Sequence, residues 1–560
     1  MNRIASLRPR LFTSTSRVLS GRPVGLADDS MVERADFIPS SGQPILLDSK
    51  KHAVGYLSRV LNARVYDVCS ETPLQAAYNL SASLNNHVYL KREDTQPVFS
   101  FKIRGAYNKM AQLSNEQLDR GVVACSAGNH AQGVALSANK LGCRAVIVMP
   151  LATPEIKVKS VAKHGGGTVE VRLHGNNYDE AAAEAKRLMD EEMLTMIHPF
   201  DDPDVIAGQG TIGMEIIKQS VSRPLDAIFV CCGGGGMLAG IAAYVKRVRP
   251  DVKVIGVEAE DAAGMTESLR AGKVVTLDSV GLFADGAAVR KVGDETFRVC
   301  NVLVDDMVTV NTDQICSAIK LAYNDARVVL EPAGALGVAG MKKYAEAHGI
   351  VGANLVAITS GANMDFDRMR FVSERADDSE KMISVTIPEK PGAFRALYNL
   401  IWPRNVTEFT YRYQMGSQAR VIMSFQPMKN VDTDFEDVLE ELEAQEYQTS
   451  DLSKNELAKV HARHMAGGRA SAVNERLFRF EFPESPGALK KFLMALDVTW
   501  NVSLFHYRNH GDDFGRVLVG IQIPKTAEDE VAINEFLQGL GYNWVEETDN
   551  EVYRDFLKEE

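Results

Sequence analysis

Four consecutive glycines occupy positions 233–236, between an apolar run at 227–231 and an alanine-rich stretch. In a helix or strand each glycine costs about 1 kcal/mol relative to alanine, so four together favour a turn. Such a turn can approach a ligand closely, and at a helix start its N–H groups can cradle a phosphate. Neither nucleotide-binding signature, GxGxxG or GxxxxGKS/T, matches this run of glycines. The alternative, a flexible linker, fits poorly between two such apolar neighbours.

Short apolar runs alternate with amphipathic stretches from residue 61 to about residue 375. The clearest runs lie at 122–126, 145–149, 227–231, 253–258 and 354–360. Near-continuous apolar strands that alternate with helices predict a parallel sheet covered on both faces, and therefore an α/β fold. Ligands of such sheets bind at the carboxyl ends of the strands. The polar or glycine-rich strand ends are therefore the candidate functional positions.

Lys102 lies inside the apolar segment PVFSFKIRGA at 97–106. Desolvation disfavours the ammonium form and lowers the pKa of a lysine. A neutral lysine is a nucleophile that forms Schiff bases with aldehydes, and the aldehyde cofactor for which enzymes keep such a lysine is pyridoxal phosphate. The alternative is an ordinary surface lysine that follows a helix-capping serine.

Two further strand ends carry polar side chains. The strand at 122–126 runs into a small-residue turn and a helix start, whose N–H groups suit a substrate carboxylate. Candidate contacts in this turn are Ser126, Gly128, Asn129 and His130. Asn129 could also hydrogen-bond the phenolic oxygen of a pyridoxal ring, and Ser360, after the last strand, could meet the pyridine nitrogen. The alternative for both turns is simple capping, with a structural histidine.

Together these segments resemble the fold-type II pyridoxal-phosphate enzymes, and SFKIRGAY resembles their threonine/serine dehydratase branch. The resemblance runs from about residue 65 to residue 371 and includes KRED at 91–94, HPFDD at 198–202 and EPAGA at 331–335. It implies a two-lobed catalytic domain similar to the tryptophan synthase β chain. The resemblance assigns the Schiff base to Lys102, the ring oxygen to Asn129, the phosphate to Gly233, Gly234, Gly235, Gly236 and Met237, and the ring nitrogen to Ser360.

The resemblance also implies a reaction. Lys102 would remove the α-proton of L-threonine, the β-hydroxyl would leave, and 2-oxobutanoate and ammonia would form, with L-serine as a secondary substrate. In the family this is the first committed step of isoleucine biosynthesis. Other interpretations on the same scaffold are a serine dehydratase, a racemase, or a cysteine or cystathionine synthase. A non-catalytic amino-acid sensor is a further alternative, against which the complete set of candidate residues argues.

After residue 375 the pattern changes, and DDSE at 377–380 marks a linker. The segment SVTIPEKPGAF at 384–394 recurs as RFEFPESPGAL at 479–489, and Asn405 and Arg420 recur as Asn501 and Arg516. The shared register predicts a tandem duplication. Each copy has the order strand, Pro-Gly turn, helix, strand, strand, helix, short strand, which is typical of a ferredoxin-like βαββαβ unit. We expect a hydrophobic sheet-to-sheet interface between the copies, serving a small ligand or oligomerisation alone.

The pair of copies resembles the ACT-like regulatory domains of biosynthetic threonine dehydratases. This resemblance implies isoleucine as the feedback inhibitor, valine as an opposing effector in some members, and a homotetramer. We predict the catalytic domain at 55–375 and the ACT-like subdomains at 382–465 and 477–557.

The first 26 residues contain five arginines among Ser, Thr and Leu, and no acidic residue. This composition is typical of an organelle transit peptide and predicts import into the mitochondrial matrix. The alternative is a disordered basic tail.

Charge, apolar run length and cysteine content argue against several classes of protein. A formal net charge of −12 and a pI near 5.6 argue against nucleic acid or an anionic membrane. We find no run of 18 apolar residues, which argues against a transmembrane helix. The seven scattered cysteines lack zinc spacing and do not indicate a disulfide scaffold.

Glu258 matches an acid that binds a cation in related racemases, but Gly264 stands where a second acid is expected, so no metal is predicted.

Overall fold

The computed structural model divides the chain into two compact units, Met1–Ala376 and Asp377–Glu560. It describes Phe37–Pro39 and residues 50–560 except 152, 377–379, 413–417, 429–432, 456–457, 459–469, 484–487, 498, 509–513, 551–552, 554–556 and 559–560. The predicted transit peptide, most of the predicted linker and the second Pro-Gly turn lie outside the described residues.

Eleven strands of the first unit form two sheets. They are β1 (Phe37–Pro39), β2 (Leu74–Ala76), β3 (His87–Lys91), β4 (Val122–Cys125), β5 (Ala145–Met149), β6 (Val169–Leu173), β7 (Thr195–Met196), β8 (Ala227–Cys231), β9 (Lys253–Ala259), β10 (Asp306–Val310) and β11 (Asn354–Ile358). The larger sheet has the order β1-β10-β9-β8-β11-β3-β2, with antiparallel strands only at its two edges. The smaller sheet, β6-β5-β4-β7, is parallel.

Helices cover both sheets. They are α1 (Lys50–Leu61), α2 (Tyr78–Leu84), α3 (Lys102–Met110), α4 (Asn115–Arg120), α5 (Asn129–Leu141), α6 (Glu155–Gly165), α7 (Tyr178–Glu191), α8 (Pro203–Gln219), α9 (Gly236–Val248), α10 (Gly264–Ala271), α11 (Asp294–Leu303), α12 (Thr312–Ala326), α13 (Pro332–Ala347) and α14 (Arg368–Arg375). Alternate residues of β4 and β5 enter two different cores, one on each face of the smaller sheet. This explains why the predicted strands read as continuous apolar runs.

The predicted strands match the observed ones closely. The runs at 145–149 and 227–231 are strands over their full length. The run at 122–126 ends one residue early, at Cys125, and the run at 354–360 ends at Ile358. In both cases the polar residues at the end of the predicted run already belong to the turn that follows the strand.

A close crossing of two helices fixes the segment that carries Lys102. A Cβ on Gly105 of α3 would lie 2.5 Å from the side chain of Gln209 in α8, and one on Gly208 would lie 2.7 Å from the Arg104 carbonyl oxygen. Only glycine at both positions lets the two backbones approach so closely. The start of α3 is therefore held against α8.

A buried charge network anchors the same helix. The Arg104 guanidinium lies 2.7 Å from a Glu93 oxygen and 2.6 Å from a Glu215 oxygen, and Lys91 Nζ lies 2.6 Å from Glu215. All four side chains are at most 1% exposed. A buried charge is tolerated when it is paired in this way, so the network restricts α3 to one position.

The second unit consists of two βαββαβ copies, as predicted. The first contains β12 (Lys381–Pro388), α15 (Ala393–Ile401), β13 (Asn405–Arg412), β14 (Gln418–Gln426), α16 (Asp434–Ala444) and β15 (Gln448–Asp451). The second contains β16 (Glu475–Pro483), α17 (Ala488–Ala495), β17 (Asn501–Arg508), β18 (Phe514–Gln522), α18 (Ala527–Leu540) and β19 (Asn543–Glu546).

The two copies do not pack sheet against sheet, and that expectation is wrong. Antiparallel pairing of β13 with β17 joins them edge to edge into one eight-stranded sheet, β15-β12-β14-β13-β17-β18-β16-β19. Phe394, Phe409 and Phe505 cluster at this seam, with centroid separations of 4.3 to 5.6 Å. Backbone hydrogen bonds and one shared aromatic core therefore replace the face-to-face contact.

All seven cysteines are buried and unpaired. In the part of the chain that the structure describes, no helix is both long enough and apolar enough to span a bilayer.

Candidate active site

Lys102 is the first residue of α3, at the point where the chain leaves a short bridge between Ser100 and Gly361. Its Nζ donates a hydrogen bond to the Pro199 carbonyl oxygen at 3.0 Å. Within the described residues it has no carboxylate partner. Phe99 adopts a left-handed φ of +53°, a strained conformation for a non-glycine residue. The backbone is thus held in an unusual path just before the lysine.

Burial lowers the pKa of Lys102 to about 8, an effect that the nearby Cys231 and Glu331 partly oppose. With this pKa an appreciable minority of the lysine, about a fifth at pH 7.4, is neutral, far more than for an ordinary lysine. The amine can therefore act as a nucleophile or accept a proton.

The glycines lead from β8 into α9, with Gly235 at the N-cap and Gly236 as the first helical residue, which agrees with a turn at a helix start. Gly235 has a φ of +95°, in the left-handed region that favours glycine. A Cβ on Gly234 would lie 2.3 Å from the Phe200 ring, and one on Gly233 would lie 2.9 Å from Ala287. The turn is bare backbone because neighbouring groups leave no room for side chains. The first N–H groups of α9 have no acceptor within the helix, which suits a phosphate.

Residues 199 and 200 connect the lysine to this turn. The carbonyl of Pro199 accepts from Lys102, and the next residue, Phe200, packs on Gly234 and Gly236. The amine and the glycine turn are therefore neighbours, although they lie more than a hundred residues apart in sequence. The HPFDD motif was noted in the sequence, but nothing there indicated this bridging position.

Asn129 is the first residue of α5 and is held by two hydrogen bonds. Its Nδ2 donates to Glu331 Oε1 at 2.6 Å, and its Oδ1 accepts from Asn363 Nδ2 at 2.6 Å. Burial raises the pKa of Glu331 to about 7. Sequence reasoning missed roles for Glu331 and Asn363. Glu331 stands in the EPAGA motif and Asn363 follows Ser360 by three residues, but the contact between these distant turns left no local signal.

Ser360 is buried at the carboxyl end of β11, and its Oγ donates to the Ala333 carbonyl oxygen at 3.3 Å. The side chain also lies beside Cys231, the last residue of β8, and opposes the rise in its pKa that burial causes. Since Cys231 in turn faces Lys102, Ser360 lies in the same cleft as the amine. The four predicted pieces therefore converge at the carboxyl ends of the parallel strands.

The turn at 126–130 contains partly exposed residues and one buried histidine. The Gly128 N–H donates to Ser126 Oγ at 3.3 Å, and both residues are partly exposed. His130 is buried, with Nε2 2.8 Å from the Ile197 carbonyl oxygen. Burial lowers the pKa of His130 to about 3, so the ring is neutral and donates through Nε2. This hydrogen bond accounts for Nε2, whereas Nδ1 is buried without a hydrogen-bond partner among the described residues. His130 therefore stays a candidate for the substrate carboxylate together with Ser126 and Gly128.

Glu258 is the next-to-last residue of β9, and its side chain caps the start of α10. Its carboxylate accepts from the N–H groups of Met265 and Thr266 at 2.8 and 2.9 Å. Burial raises the pKa of Glu258 to about 7. Among the residues that the structure describes, no group of three or more His, Cys, Asp or Glu side chains is arranged to hold a metal.

The cleft fits pyridoxal phosphate by the chemistry of its groups. The glycine turn excludes side chains and presents N–H groups suited to a phosphate. A buried amine of lowered pKa suits the aldehyde, and an oriented amide and a neutral hydroxyl suit the ring substituents.

Comparison with known proteins agrees with this chemistry. Residues 65–361 match the family model of pyridoxal-phosphate-dependent enzymes, and residues 372–462 and 466–557 each match the C-terminal regulatory domain of threonine dehydratase. The processed form of threonine deaminase isoform 2 from Solanum lycopersicum superposes with a TM-score of 0.57 at 48% identity, over 61% of this chain and 91% of that one. Maize serine racemase gives 0.51 at 31% identity, over 58% and 96%.

Full-length relatives narrow the assignment. A biosynthetic L-threonine dehydratase of Burkholderia multivorans is 55% identical over 506 residues, which cover 90% of this chain and 99% of that protein. A mitochondrial threonine dehydratase of Schizosaccharomyces pombe is 53% identical over 508 residues, 90% and 84% of the respective chains. Because both the catalytic segment and the duplicated tail are matched, the chain belongs to the biosynthetic threonine dehydratases, a family of pyridoxal-phosphate-dependent enzymes.

Proposed function

We propose that this protein carries out its reaction, the deamination of L-threonine to 2-oxobutanoate and ammonia, with Lys102 as its catalytic residue. The reaction is the first committed step of isoleucine biosynthesis. The single observation that carries the assignment of Lys102 is the convergence of its amine with the glycine turn, Asn129 and Ser360 at one set of strand ends.

Five backbone positions and three side chains would hold the cofactor. Gly233, Gly234, Gly235, Gly236 and Met237 bind its phosphate, Lys102 its aldehyde carbon, Asn129 its phenolic oxygen and Ser360 its ring nitrogen. When bound, pyridoxal phosphate supplies an aldehyde that condenses with amines and a ring that takes up electron density from Cα. A neutral serine partner leaves the ring nitrogen largely unprotonated, which suits elimination with an early leaving group.

The chain's own residues then do the following work. The neutral Lys102 amine accepts the α-proton of threonine, since burial keeps its pKa near 8. Backbone N–H groups at the start of α5, with Ser126 and Gly128, hold the substrate carboxylate and orient the Cα–H bond toward the amine. The β-hydroxyl leaves as water, and hydrolysis of the resulting imine consumes one water and releases ammonia.

The direct test is an absorbance spectrum combined with a 2-oxo-acid assay on threonine and serine. We expect a yellow protein, faster turnover of L-threonine, and slower turnover of L-serine. A colourless protein in the presence of cofactor, or one that releases no ammonia, would contradict the proposal. A preference for serine would favour the serine dehydratase alternative.

The duplicated tail regulates this reaction by binding amino-acid effectors. Isoleucine is the proposed inhibitor, and valine is proposed to oppose it. Support comes from the match of both copies to a threonine dehydratase regulatory domain. Truncation after Ala376 should leave threonine turnover intact and abolish inhibition by isoleucine. A truncated enzyme that isoleucine still inhibits would locate the effector site in the first unit.

We also propose a mitochondrial matrix location, a homotetramer, and domains at 1–26, 55–375, 382–465 and 477–557. The arginine-rich first 26 residues and the mitochondrial naming of the fungal relatives support the location. Import of a fluorescent fusion to residues 1–26, with its five arginines replaced as the control, tests it. Light scattering of the purified enzyme tests the tetramer.

A further inference from the structure

We propose that Glu331 is a positioning residue, which together with Asn363 locks the side-chain amide of Asn129 with an N–H directed to the cofactor. This inference rests on the proposed contact between Asn129 and the phenolic oxygen of the cofactor. It goes further because it explains how the chain fixes the orientation of that amide.

The orientation follows from a chain of three hydrogen bonds. One terminal atom of the Asn363 amide contacts the Val98 carbonyl oxygen at 2.9 Å, so this atom must be the nitrogen. The same nitrogen lies 2.6 Å from one terminal atom of Asn129, which must therefore be the oxygen. The other end of Asn129 is then its NH₂ group, and it faces Glu331 Oε1 at 2.6 Å.

This arrangement divides the two N–H bonds of Asn129 between two acceptors. One hydrogen is donated to Glu331, which leaves the second for the cofactor oxygen. Without Glu331 the amide would keep its bond to Asn363 but could pivot about it. The carboxyl group therefore sets the direction of the second N–H, although it need not touch the cofactor.

The surroundings of Glu331 are built to hold its carboxyl group in place. The residue is 6% exposed, and its backbone N–H donates to the Gly361 carbonyl oxygen at 3.2 Å. A Cβ on Gly361 would lie 2.2 Å from Oε1, so glycine there makes room for the carboxyl group. The backbone N–H of Asn363 also interacts with the carboxyl group and opposes the rise in its pKa. The turns at 331 and at 361–363 thus hold one carboxyl oxygen against Asn129.

Two variants of Glu331 separate the effect of losing the hydrogen-bond acceptor from the effect of losing the negative charge. Glu331→Leu keeps approximate volume and removes the acceptor, whereas Glu331→Gln keeps an amide oxygen for Asn129. We expect Glu331→Leu to weaken pyridoxal phosphate binding to the apo-enzyme about tenfold, the effect of one lost buried hydrogen bond. It should also shift the pH titration of the Schiff-base absorbance. Glu331→Gln should restore both toward wild type, and the exposed control Glu116→Leu should change neither.

A double-mutant cycle tests whether Glu331 acts through Asn129. Asn129→Ala should weaken cofactor binding by itself, and adding Glu331→Leu should cause little further loss. Asn363→Ala, which frees the other end of the amide, should shift the absorbance titration in the same direction and provides a second test if Glu331→Leu does not fold.

The outcomes distinguish this inference from the proposed function. If Asn129→Ala is impaired while Glu331→Leu and Asn363→Ala bind cofactor as the wild type does, the positioning role is wrong and the Asn129 contact stands. Fully additive losses for Glu331→Leu and Asn129→Ala would also overturn it, because Glu331 would then act independently. If Asn129→Ala itself has wild-type affinity and spectrum, the proposed contact fails, and the inference with it.

Discussion

The Lys102 cleft and the seam between the regulatory copies both bury charged side chains, yet they satisfy them differently. At the seam Arg412 and Glu475, each about 1% exposed, pair directly, and Glu475 also accepts from Ser503 and Tyr553. In the cleft Lys102 donates to a backbone carbonyl and, among the described residues, has no other hydrogen-bond acceptor. Burial displaces its pKa and that of Glu331 toward neutrality. The seam thus joins opposite charges directly, although Arg412 Nε has no hydrogen-bond partner among the described residues. The Lys102 amine is instead buried without a hydrogen-bonded carboxylate in the part of the chain that the structure describes, which leaves it available for chemistry.

The largest effect is expected for Lys102→Ala, which removes the amine of the cleft. We expect a fall in kcat of at least about 10³-fold, because a single group serves as nucleophile and proton acceptor. Borohydride should no longer fix the cofactor to the protein. The exposed Lys140→Ala is the matched control and should behave as the wild type. Residual turnover of threonine near the wild-type rate would remove Lys102 from its role.

At the seam the corresponding change is Arg412→Ala, which leaves Glu475 buried without its cation. Breaking a buried pair in this way costs about 3–5 kcal/mol, so calorimetry should show the second unit unfolding at a lower temperature. Threonine turnover without effector should persist. Arg420→Ala, at an exposed position of the same sheet, should leave the transition unchanged. Equal stability of Arg412→Ala and wild type would refute the claim that pairing holds the seam.

A smaller effect is expected at the glycine turn. Gly235→Ala forces a side chain into a φ of +95° beside Met265 and should weaken cofactor binding about tenfold, from a strain of about 1–2 kcal/mol. Gly142→Ala places alanine at a φ of +69° with open space around it, far from the turn. It carries a similar backbone cost, so it should lower stability while cofactor affinity stays constant. Equal effects of both variants on cofactor affinity would contradict the proposed role of the glycine turn in binding the phosphate.

The smallest and most graded effect concerns pH. Only the neutral Lys102 amine attacks an aldehyde, so the rate at which apo-enzyme takes up the cofactor should rise about tenfold per pH unit below pH 8. Above pH 8 the amine is already neutral, and the rate should level off. Stopped-flow absorbance measures this profile. A rate that keeps rising to pH 10 would indicate a lysine of ordinary pKa.

Local sequence was sufficient for much of this picture. Apolar runs located the strands, because strands buried on both faces need apolar residues at every position. The glycine turn was predictable because four glycines between an apolar strand and a helix are costly in regular structure and suit a turn that binds a ligand through its N–H groups. Lys102 was identified because apolar neighbours around a lysine are unusual.

Long-range contacts were not predictable in the same way. Glu331 reaches Asn129 across 202 residues, and no local pattern links the two turns. His130 looked similar to its neighbours in sequence, but its ring turns inward to Ile197. The joining of β13 to β17 also escaped prediction, because both edge-to-edge and face-to-face assemblies are compatible with the same alternation of residues.

That joining has a consequence for each copy taken alone. A free β13 would present a row of unpaired N–H and C=O groups, a template for a strand from another molecule. Because the two copies belong to one chain, β17 is present at a high local concentration and pairs with β13 before a strand of another molecule can. A fragment containing only the first copy should therefore self-associate in solution, while the intact tail protects itself from aggregation.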